Sequence, residues 1–233
     1  KYLIGGAFTD YNGTSRNRIA KINTDGTLDS SFNVGGAGAL FGNGSSYINT
    51  IELLPSGKML ILGNFGAYNG VSRNNMAVLN LDGSLDSTFN PGSGFVYESN
   101  GTASSLNLLA IQPDGKFYVS GKFSTYNGTV VNRLIRISSD GSLDTSFSTG
   151  TGFQFPYIGP MSGNLFYDEG DIYCMVIQPD GKLVIGGNFE SYNGVAHRNI
   201  MRLNPDGSID ASYHNGKGTW TNPSNYLDSA VRR

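Results

Sequence analysis

A segment of 18 residues recurs along the chain, and this internal repetition constrains the fold more than any other feature. It reads IQPDGKFYVSGKFSTYNG at 111–128, IQPDGKLVIGGNFESYNG at 177–194 and LLPSGKMLILGNFGAYNG at 53–70, and its second part, KYLIGGAFTDYNG, begins the sequence. The tyrosines of the YNG motif lie 57, 58 and 66 residues apart, at Tyr11, Tyr68, Tyr126 and Tyr192. A period of this kind predicts a series of similar supersecondary units.

Each repeat combines a block of constant length with a connector of variable length. From the proline of PDG or PSG to the aromatic residue that closes the LDxSF motif, the spacing is 34 at 55–89, 113–147 and 179–213. The connectors between these blocks have spacings of 23, 24 and 32. Packing between units fixes the block, whereas loops at the surface tolerate insertions.

The block itself predicts four β-strands. In the third repeat they are an apolar run at 108–112, a second strand at 116–123 that ends at the YNG loop, a third at 134–138, and SLDTSF at 142–147. Proline and glycine in PDG, and the later Asp-Gly pair, predict the turns. Segments such as MLILG and LVIGG are apolar at consecutive positions, which indicates sheets covered on both faces. We therefore expect an all-β protein, a β-propeller or propeller segment made of four-stranded antiparallel blades.

The predicted blades have boundaries at 1–47, 48–105, 106–170 and 171–233. The first is partial, because its first strand is missing or supplied by the C-terminal tail, and the last ends with the start of a further strand. Two alternatives stay open: the tail NYLDSAVRR closes a four-bladed ring, or the chain is a segment of a longer array. The sequence opens inside a turn motif, which favours the segment.

The consensus IQPDGKxxxGGxF, YNG and RLNPDGSLDxSF resembles the delta-60 repeat of bacterial and phage-associated proteins, over nearly the whole chain. This resemblance implies a propeller-forming unit in a large secreted, cell-surface or virion protein. It implies no shared set of catalytic residues.

Composition and motif content exclude several kinds of site. The formal net charge of −2, without a run of basic residues, argues against a nucleic-acid partner. The sequence has no apolar run near 18 residues, so we expect no membrane insertion. Cys174 is the single cysteine and lies in an apolar run, which indicates an inert buried thiol. With two histidines, His197 and His214, in loop-like segments, we assign no metal, no cofactor and no catalytic residue.

Two series of repeated aspartates are predicted to be structural. The Asp-Gly pairs do not fit the calcium loop of an EF-hand and are typical of hairpin turns. The second series is predicted to cap a turn or to pair with the arginine of a neighbouring unit, and it comprises Asp29, Asp86, Asp144 and Asp210.

The connector at 148–171 departs most from the repeat, because it is eight residues longer than the connector before it. Aromatic rings beside carboxylates suit contact with carbohydrate or protein. An alternative is that the aromatic side chains form a small apolar cluster beneath the loop. The candidate ligand-binding residues are Phe153, Phe155, Tyr157, Phe166, Tyr167, Asp168 and Glu169, with Trp220 on the equivalent connector of the last repeat.

The function expected from these features is that of a non-catalytic repeat module. It would act as a rigid structural or adhesive surface on a virion, of the tail or fibre type, or on a bacterial cell envelope. The expected location is extracellular, at the cell surface or on the virion, and the expected partner is a surface glycan, a protein or a sister subunit. The alternative is a carbohydrate-active propeller enzyme that uses carboxylates of the 148–171 connector.

Overall fold

The computed structural model describes residues 1–40, 46–96, 106–158, 165–169 and 171–213, and for residues 108, 109, 155–158 and 165–169 it describes the backbone alone. These residues form β-strands and turns, without a helix that could span a membrane. The strands are β1 (Tyr2–Gly5), β2 (Asp10–Tyr11), β3 (Thr14–Ser15), β4 (Ile19–Ile22), β5 (Ala39–Leu40), β6 (Tyr47–Leu53), β7 (Met59–Asn64), β8 (Ala67–Tyr68), β9 (Val71–Ser72), β10 (Met76–Leu79), β11 (Phe95–Val96), β12 (Leu106–Ile111), β13 (Phe117–Gly121), β14 (Thr125–Tyr126), β15 (Thr129–Val130), β16 (Leu134–Ile137), β17 (Phe153–Ile158), β18 (Leu165–Glu169), β19 (Asp171–Ile177), β20 (Leu183–Asn188), β21 (Ser191–Tyr192), β22 (Val195–Ala196) and β23 (Ile200–Leu203).

Each repeat unit contains one central antiparallel sheet. The central sheets are β1-β4 in unit 1, β6-β7-β10 in unit 2, β12-β13-β16 in unit 3 and β19-β20-β23 in unit 4. The first three strands predicted from the sequence are confirmed in unit 3, within one or two residues. The expected fourth strand is reduced to one antiparallel bridge, Ile137 to Leu143 in unit 3, with equivalent bridges in the other units. Immediately after this bridge, Asp144 accepts hydrogen bonds from Ser146, and this turn ends the pairing.

Both faces of the central sheets of units 2 and 3 are buried, as the consecutive apolar residues predicted. In β7, Met59 and Ile61 pack in a cluster with Ile19 and Phe32 of unit 1. Leu60 and Leu62 of the same strand pack in a second cluster with residues of unit 3, among them Phe117 and Val119. A third cluster joins units 3 and 4, and it includes Tyr118, Phe147, Leu183 and Ile185. The units therefore stack face to face, each sheet separated from the next by one apolar layer.

In units 2 to 4, a second, smaller sheet joins the unit to the connector before it. The YNG motif, expected to be a loop, is the turn of a short hairpin, β8-β9 in unit 2 and β14-β15 in unit 3. A strand of the preceding connector pairs with this hairpin, which gives the three-stranded sheets β5-β8-β9 and β11-β14-β15. Asn127 of the motif also accepts a hydrogen bond from the backbone N–H of Gly94 in that connector, at 3.1 Å.

The Asp-Gly turn of each later unit contacts the end of the preceding unit. The backbone N–H of Asn33 donates to the carbonyl of Asp82 at 2.6 Å, and that of Asn90 donates to the carbonyl of Asp140 at 2.8 Å. A Cβ atom at Gly141 would lie 2.7 Å from the carbonyl of Asn90, and Gly141 has a φ of 92°. Glycine is required here both by the left-handed backbone and by the close approach of the neighbouring unit.

The tail proposed to close a ring, NYLDSAVRR, lies outside the described residues. The blade boundaries therefore stay predictions at the C-terminal end of the chain.

We expect Gly141→Ala to destabilise the fold more than Gly128→Ala. Both glycines have positive φ, so both variants incur the cost of a left-handed alanine, about 1 kcal/mol. Only Gly141 would overlap a neighbouring unit, since no atom lies within 4 Å of a Cβ at Gly128, and this overlap adds roughly 1–3 kcal/mol. Urea unfolding of the two variants measures the difference, and equal midpoints would contradict the assigned role of the Asp-Gly contact.

Candidate functional site

The tyrosine of the YNG motif serves the scaffold. Its hydroxyl donates to the carbonyl of the Asp-Gly glycine 15 residues later in every unit, for example from Tyr68 to Gly83 at 2.8 Å and from Tyr192 to Gly207 at 2.6 Å. Burial raises the pKa of both phenols, so they stay protonated and act as hydrogen-bond donors at neutral pH. The tyrosine of the most repeated motif thus links two turns of its own unit.

The second series of aspartates forms ion pairs and caps a turn, as predicted, but the pairing is within one unit. In unit 3, Oδ2 of Asp144 lies 2.9 Å from Nζ of Lys116 and 2.7 Å from Nε of Arg136. Oδ1 accepts from the N–H and the hydroxyl of Ser146. The lysine of the PDGK or PSGK turn, which the sequence reasoning had not linked to an aspartate, makes the same pair in the other units: Lys1 with Asp29, Lys58 with Asp86, and Lys182 with Asp210.

The arginine expected to come from a neighbouring unit is in fact on the same central sheet. Arg136 pairs with Asp144 of its own unit, and its Nη1 then donates to the carbonyl of Pro205 in unit 4 at 2.9 Å. Burial alone would raise the pKa of Asp144, but hydrogen bonds from Ser146 and Lys116 outweigh it and hold the pKa well below its ordinary value.

The Asp-Gly aspartates are turn residues and do not converge on a cation site. Asp82, for example, accepts from the backbone N–H and the hydroxyl of Ser84 at 2.9 and 2.6 Å. These hydrogen bonds lower the pKa of Asp82, and both are accepted by the same carboxylate oxygen, Oδ1. Among the described residues, no group of three or more acidic, histidine or cysteine side chains is placed to hold a metal ion.

The long connector changes the second sheet of unit 4. It supplies β17, which has six residues where β5 and β11 have two, and it adds the strand β18. The result is a four-stranded sheet in the order β18-β17-β21-β22. We call the antiparallel pair β17 and β18 the connector ladder. The ladder is the only place in the described chain where a unit gains a strand relative to the others.

Phe153, the first of the candidate ligand-binding residues, belongs to the core. It is 1% exposed, and its ring lies 4.9 Å from that of Phe189 and 4.8 Å from that of Tyr192. Phe95 makes equivalent contacts with Phe123 and Tyr126 in unit 3. The sequence signal is the motif GxGF, which appears as GSGF at 92–95 and GTGF at 150–153 and marks both phenylalanines as part of the repeat.

The other candidates of the connector fall on the part of the ladder that only this unit has. The register pairs Phe155 with Asp168 and Tyr157 with Phe166. Directly opposed residues of an antiparallel pair occupy positions on the same face, so these four positions share one face of the ladder. Tyr167 and Glu169 occupy positions on the other face, opposite Pro156 and Gln154. Trp220 lies outside the described residues.

An ion-paired group that the sequence reasoning missed lies at the base of the ladder. Nη1 of Arg133, whose side chain is 5% exposed, donates to Oδ1 of Asp171 at 2.9 Å, and Nζ of Lys122 lies 4.0 Å from Oδ2. These residues line a cavity of about 140 Å³ between units 3 and 4, together with Asn107 and Tyr173. The backbone of Arg133 is left-handed, with a φ of 54°. The residues at the equivalent position of the other units, Arg18, Asn75 and Asn199, also have positive φ. This group anchors the end of the connector to the preceding unit.

His197, predicted to lie in a loop, is half-buried behind the YNG hairpin of unit 4. Its backbone N–H donates to the carbonyl of Glu190 at 2.9 Å, and burial lowers the pKa of its imidazole. The same slot holds arginine in units 1 and 2 and valine in unit 3, so no side-chain chemistry is shared at this position.

A family model described as "Domain of unknown function (DUF5122) beta-propeller" matches four stretches, residues 1–32, 54–89, 112–147 and 178–213, which together cover more than half of the chain. No curated protein and no solved structure matches significantly. The four matched stretches contain the Asp-Gly turns, the YNG hairpins and the second series of aspartates, and the connector ladder lies between the third and fourth.

We expect Asp144→Asn to lower the free energy of unfolding by about 2 kcal/mol at pH 7, because Lys116 and Arg136 lose a charged hydrogen-bond acceptor. The native pKa of Asp144 lies below that of the unfolded chain, near 3.9. Its contribution is therefore fully present above about pH 5 and is lost as the pH falls through the native pKa. The difference between wild type and variant should shrink in acid.

Chemical unfolding at a series of pH values measures this difference. Asp140→Asn is the matched control, since asparagine can keep the exposed turn in which Asp140 accepts from Ser142. A difference that is constant from pH 7 to acid would contradict the charge-based role of Asp144.

Proposed function

Because the chain belongs to the DUF5122 β-propeller family, we propose that it is a non-catalytic repeat module that displays a recognition surface on a rigid stack of sheets. The observation that carries this proposal is the connector ladder, the one place in the described chain where a repeat unit gains a strand. Function resides in sites added to a fold, and the departure from the repeat is where such a site is to be sought.

The constant residues support the scaffold part of the proposal. The YNG tyrosine, the Asp-Gly turn and the second aspartate all make contacts within or between units, such as Tyr126 to Gly141 and Lys116 to Asp144. A body held together by these contacts can carry connectors of different length without a change in packing. Its rigidity keeps a displayed surface ordered before binding, which lowers the entropic cost of recognition.

The composition of the ladder supports a carbohydrate ligand at the surface. One face of the ladder combines the positions of Phe155, Tyr157 and Phe166 with that of Asp168. Aromatic rings offer flat apolar contact to the C–H face of a sugar, and a carboxylate accepts hydrogen bonds from its hydroxyl groups. We propose that Tyr167 and Glu169 offer further contacts on the opposite face of the ladder, and that Trp220 also takes part in ligand binding.

The register gives less support to a glycosidase. Such enzymes place two carboxyl groups on either side of one bond, about 5–9.5 Å apart. Asp168 and Glu169 are consecutive in β18, and consecutive positions of a strand belong to opposite faces. We therefore expect the protein to bind a glycan without hydrolysing it.

The proposed location is extracellular, on a virion or a bacterial cell envelope. Its support is the resemblance of the consensus to the delta-60 repeat and the low content of charged residues, 15%. The fraction of charged residues is well below the roughly 25% of an ordinary soluble domain, and polar, uncharged turns occupy the surface instead.

The test replaces the distal connector, residues 155–170, with residues 97–104 of the shorter connector. The exchange removes the eight-residue excess and keeps Phe153 in the core and Asp171 in its ion pair with Arg133. Wild type should bind members of an array of bacterial surface glycans, and the exchanged chain should lose at least tenfold in affinity with an unchanged unfolding temperature. Val130→Ala, at a residue 75% exposed on the YNG hairpin of unit 3, is the control that should bind normally.

Equal binding by wild type and the exchanged chain would show that the ladder is not the binding surface. Binding by neither would contradict glycan recognition altogether. If wild type releases sugar products, and Asp168→Ala abolishes this release without a change in stability, the protein is a carbohydrate-active enzyme and not an adhesive module.

A further inference from the structure

One position of the repeat places a basic side chain at the boundary with the next unit. Arg136 of unit 3 donates from Nη1 to the carbonyl of Pro205 in unit 4 at 2.9 Å, and Lys21 of unit 1 donates to the carbonyl of Leu81 in unit 2 at 3.2 Å. The two acceptors are equivalent in the repeat, because each stands directly before an Asp-Gly pair. A cation therefore bridges units 1 and 2, and another bridges units 3 and 4.

The interface between units 2 and 3 has valine at this position. Val78 replaces the arginine, and Leu60 replaces Tyr118, whose hydroxyl accepts from Nη1 of Arg136 at 3.1 Å. Both replacements are smaller and apolar. A cavity of about 440 Å³ lies between these two units, and it is lined by Val78 and by Ser139, which stands before the next Asp-Gly pair. All of its lining residues belong to units 2 and 3.

The acceptors that bind Arg136 in unit 3 have counterparts around this cavity. The guanidinium of Arg136 donates from Nε to Asp144 at 2.7 Å, from Nη2 to the hydroxyl of Ser146 at 2.7 Å, and from Nη1 to the carbonyl of the next unit. The residues equivalent to these three acceptors all line the cavity: Asp86, Thr88 and Ser139. The cavity therefore presents the same kinds of acceptor that bind a guanidinium group one interface later.

Unit 4 repeats the contacts that the arginine makes within its unit. Arg202 donates from Nε to Asp210 at 2.6 Å and from Nη2 to the hydroxyl of Ser212 at 3.2 Å. Where the repeat has arginine at this position, an aspartate and a hydroxyl bind it. Unit 2 has the aspartate and the hydroxyl, at 86 and 88, but has valine in place of the arginine.

The carboxylate of Asp86 is charged and has room for a second cation. Burial raises its pKa, but hydrogen bonds from Lys58 and Thr88 outweigh this effect and keep the pKa below its ordinary value. Oδ2 of Asp86 lies 2.7 Å from Nζ of Lys58. The corresponding oxygen of Asp144 lies 2.9 Å from a lysine and also 2.7 Å from Nε of Arg136. One cationic partner of that oxygen is thus matched in unit 2, and the cavity adjoins Asp86.

We propose that this cavity is a binding site for a guanidinium group, with Asp86, Thr88 and Ser139 as its acceptors. A guanidinium suits them because its N–H donors point in several directions in one plane, whereas an ammonium is a compact point charge. The carboxylates of Asp86 and Asp114 and the ammonium of Lys58 line the cavity, so that the charge of its lining is net negative. This charge attracts a cationic ligand.

The bound guanidinium is carried on an alkyl stem. Leu54, Val78 and Pro113 line the same cavity and offer apolar contact to such a stem. A free guanidino compound and an arginine side chain of a partner protein share this chemistry. The site is independent of the proposed glycan recognition, because the connector ladder contributes no residue to the cavity.

Titration of the protein with N-ethylguanidinium, followed by the backbone amide resonances in NMR spectra, tests the proposal. The probe should shift the resonances of Thr88 and Ser139 in a saturable manner. N-ethylurea is the control, since it has nearly the same shape without the charge. It should bind at least tenfold more weakly, because it offers no cation to the buried carboxylate of Asp86.

Val78→Arg and Arg136→Val are the matched pair of variants. Val78→Arg supplies a guanidinium from within the chain, so the affinity for N-ethylguanidinium should fall at least tenfold. Arg136→Val removes the guanidinium from the interface between units 3 and 4, so the probe should gain a second site there, with shifts at Ser146. N-ethylguanidinium should also raise the unfolding temperature of Arg136→Val, and N-ethylurea should not, so the pair remains informative even if Val78→Arg folds poorly.

A peptide distinguishes the two sources of the guanidinium. Acetyl-Gly-Arg-Gly-amide should bind at least as tightly as N-ethylguanidinium if the natural ligand is an arginine of a partner protein, and more than tenfold more weakly if the cavity admits only a small guanidino compound. The same peptide with citrulline in place of arginine is the neutral control and should not bind in either case.

Three outcomes would overturn the proposal. Equal shifts with N-ethylguanidinium and N-ethylurea would show that charge is not recognised. Unchanged affinity in a folded Val78→Arg variant would place the probe outside the cavity. Shifts confined to exposed carboxylates, with none at Thr88 or Ser139, would show only a general attraction of cations to the surface.

Discussion

The burial of both faces of the central sheets is the constraint on which the rest of the structure depends. Alternate residues of β7 pack in two different apolar clusters. Met59 and Ile61 pack against unit 1, and Leu60 and Leu62 pack against unit 3. A sheet of this kind cannot be stable alone in water, because one face or the other would expose a row of apolar side chains. Each unit therefore depends on its neighbours for most of its stability, and repetition follows from this dependence.

Polar contacts at the edges of the apolar layers then set the distance and register between units. The N–H of Asn33 reaches the carbonyl of Asp82 only because residue 83 is a glycine, and the hydroxyl of Tyr68 holds that same turn from within its own unit. Asp86 forms an ion pair with Lys58, which follows the PSG turn of the same unit. These residues explain why the repeat is constant at particular positions while the connectors vary in length and composition.

The proposed recognition surface has an origin of its own in the fold. The connector ladder is added to the repeat, so its chemistry is its own and owes nothing to the packing of the units. This surface is therefore the one that we propose for a foreign ligand.

The sequence by itself determined the all-β class, the four repeats, the first three strands of each complete unit and the turns at the Asp-Gly pairs. These follow from local rules: consecutive apolar residues, proline and glycine at turns, and spacing. Only the tertiary structure decided that Leu143 makes a single bridge in place of a strand, that Lys116 is the partner of Asp144, and that Phe153 is core while the ladder extends beyond it. Each of these depends on which residues meet across strands and units, and spacing along one chain does not encode such contacts between distant residues.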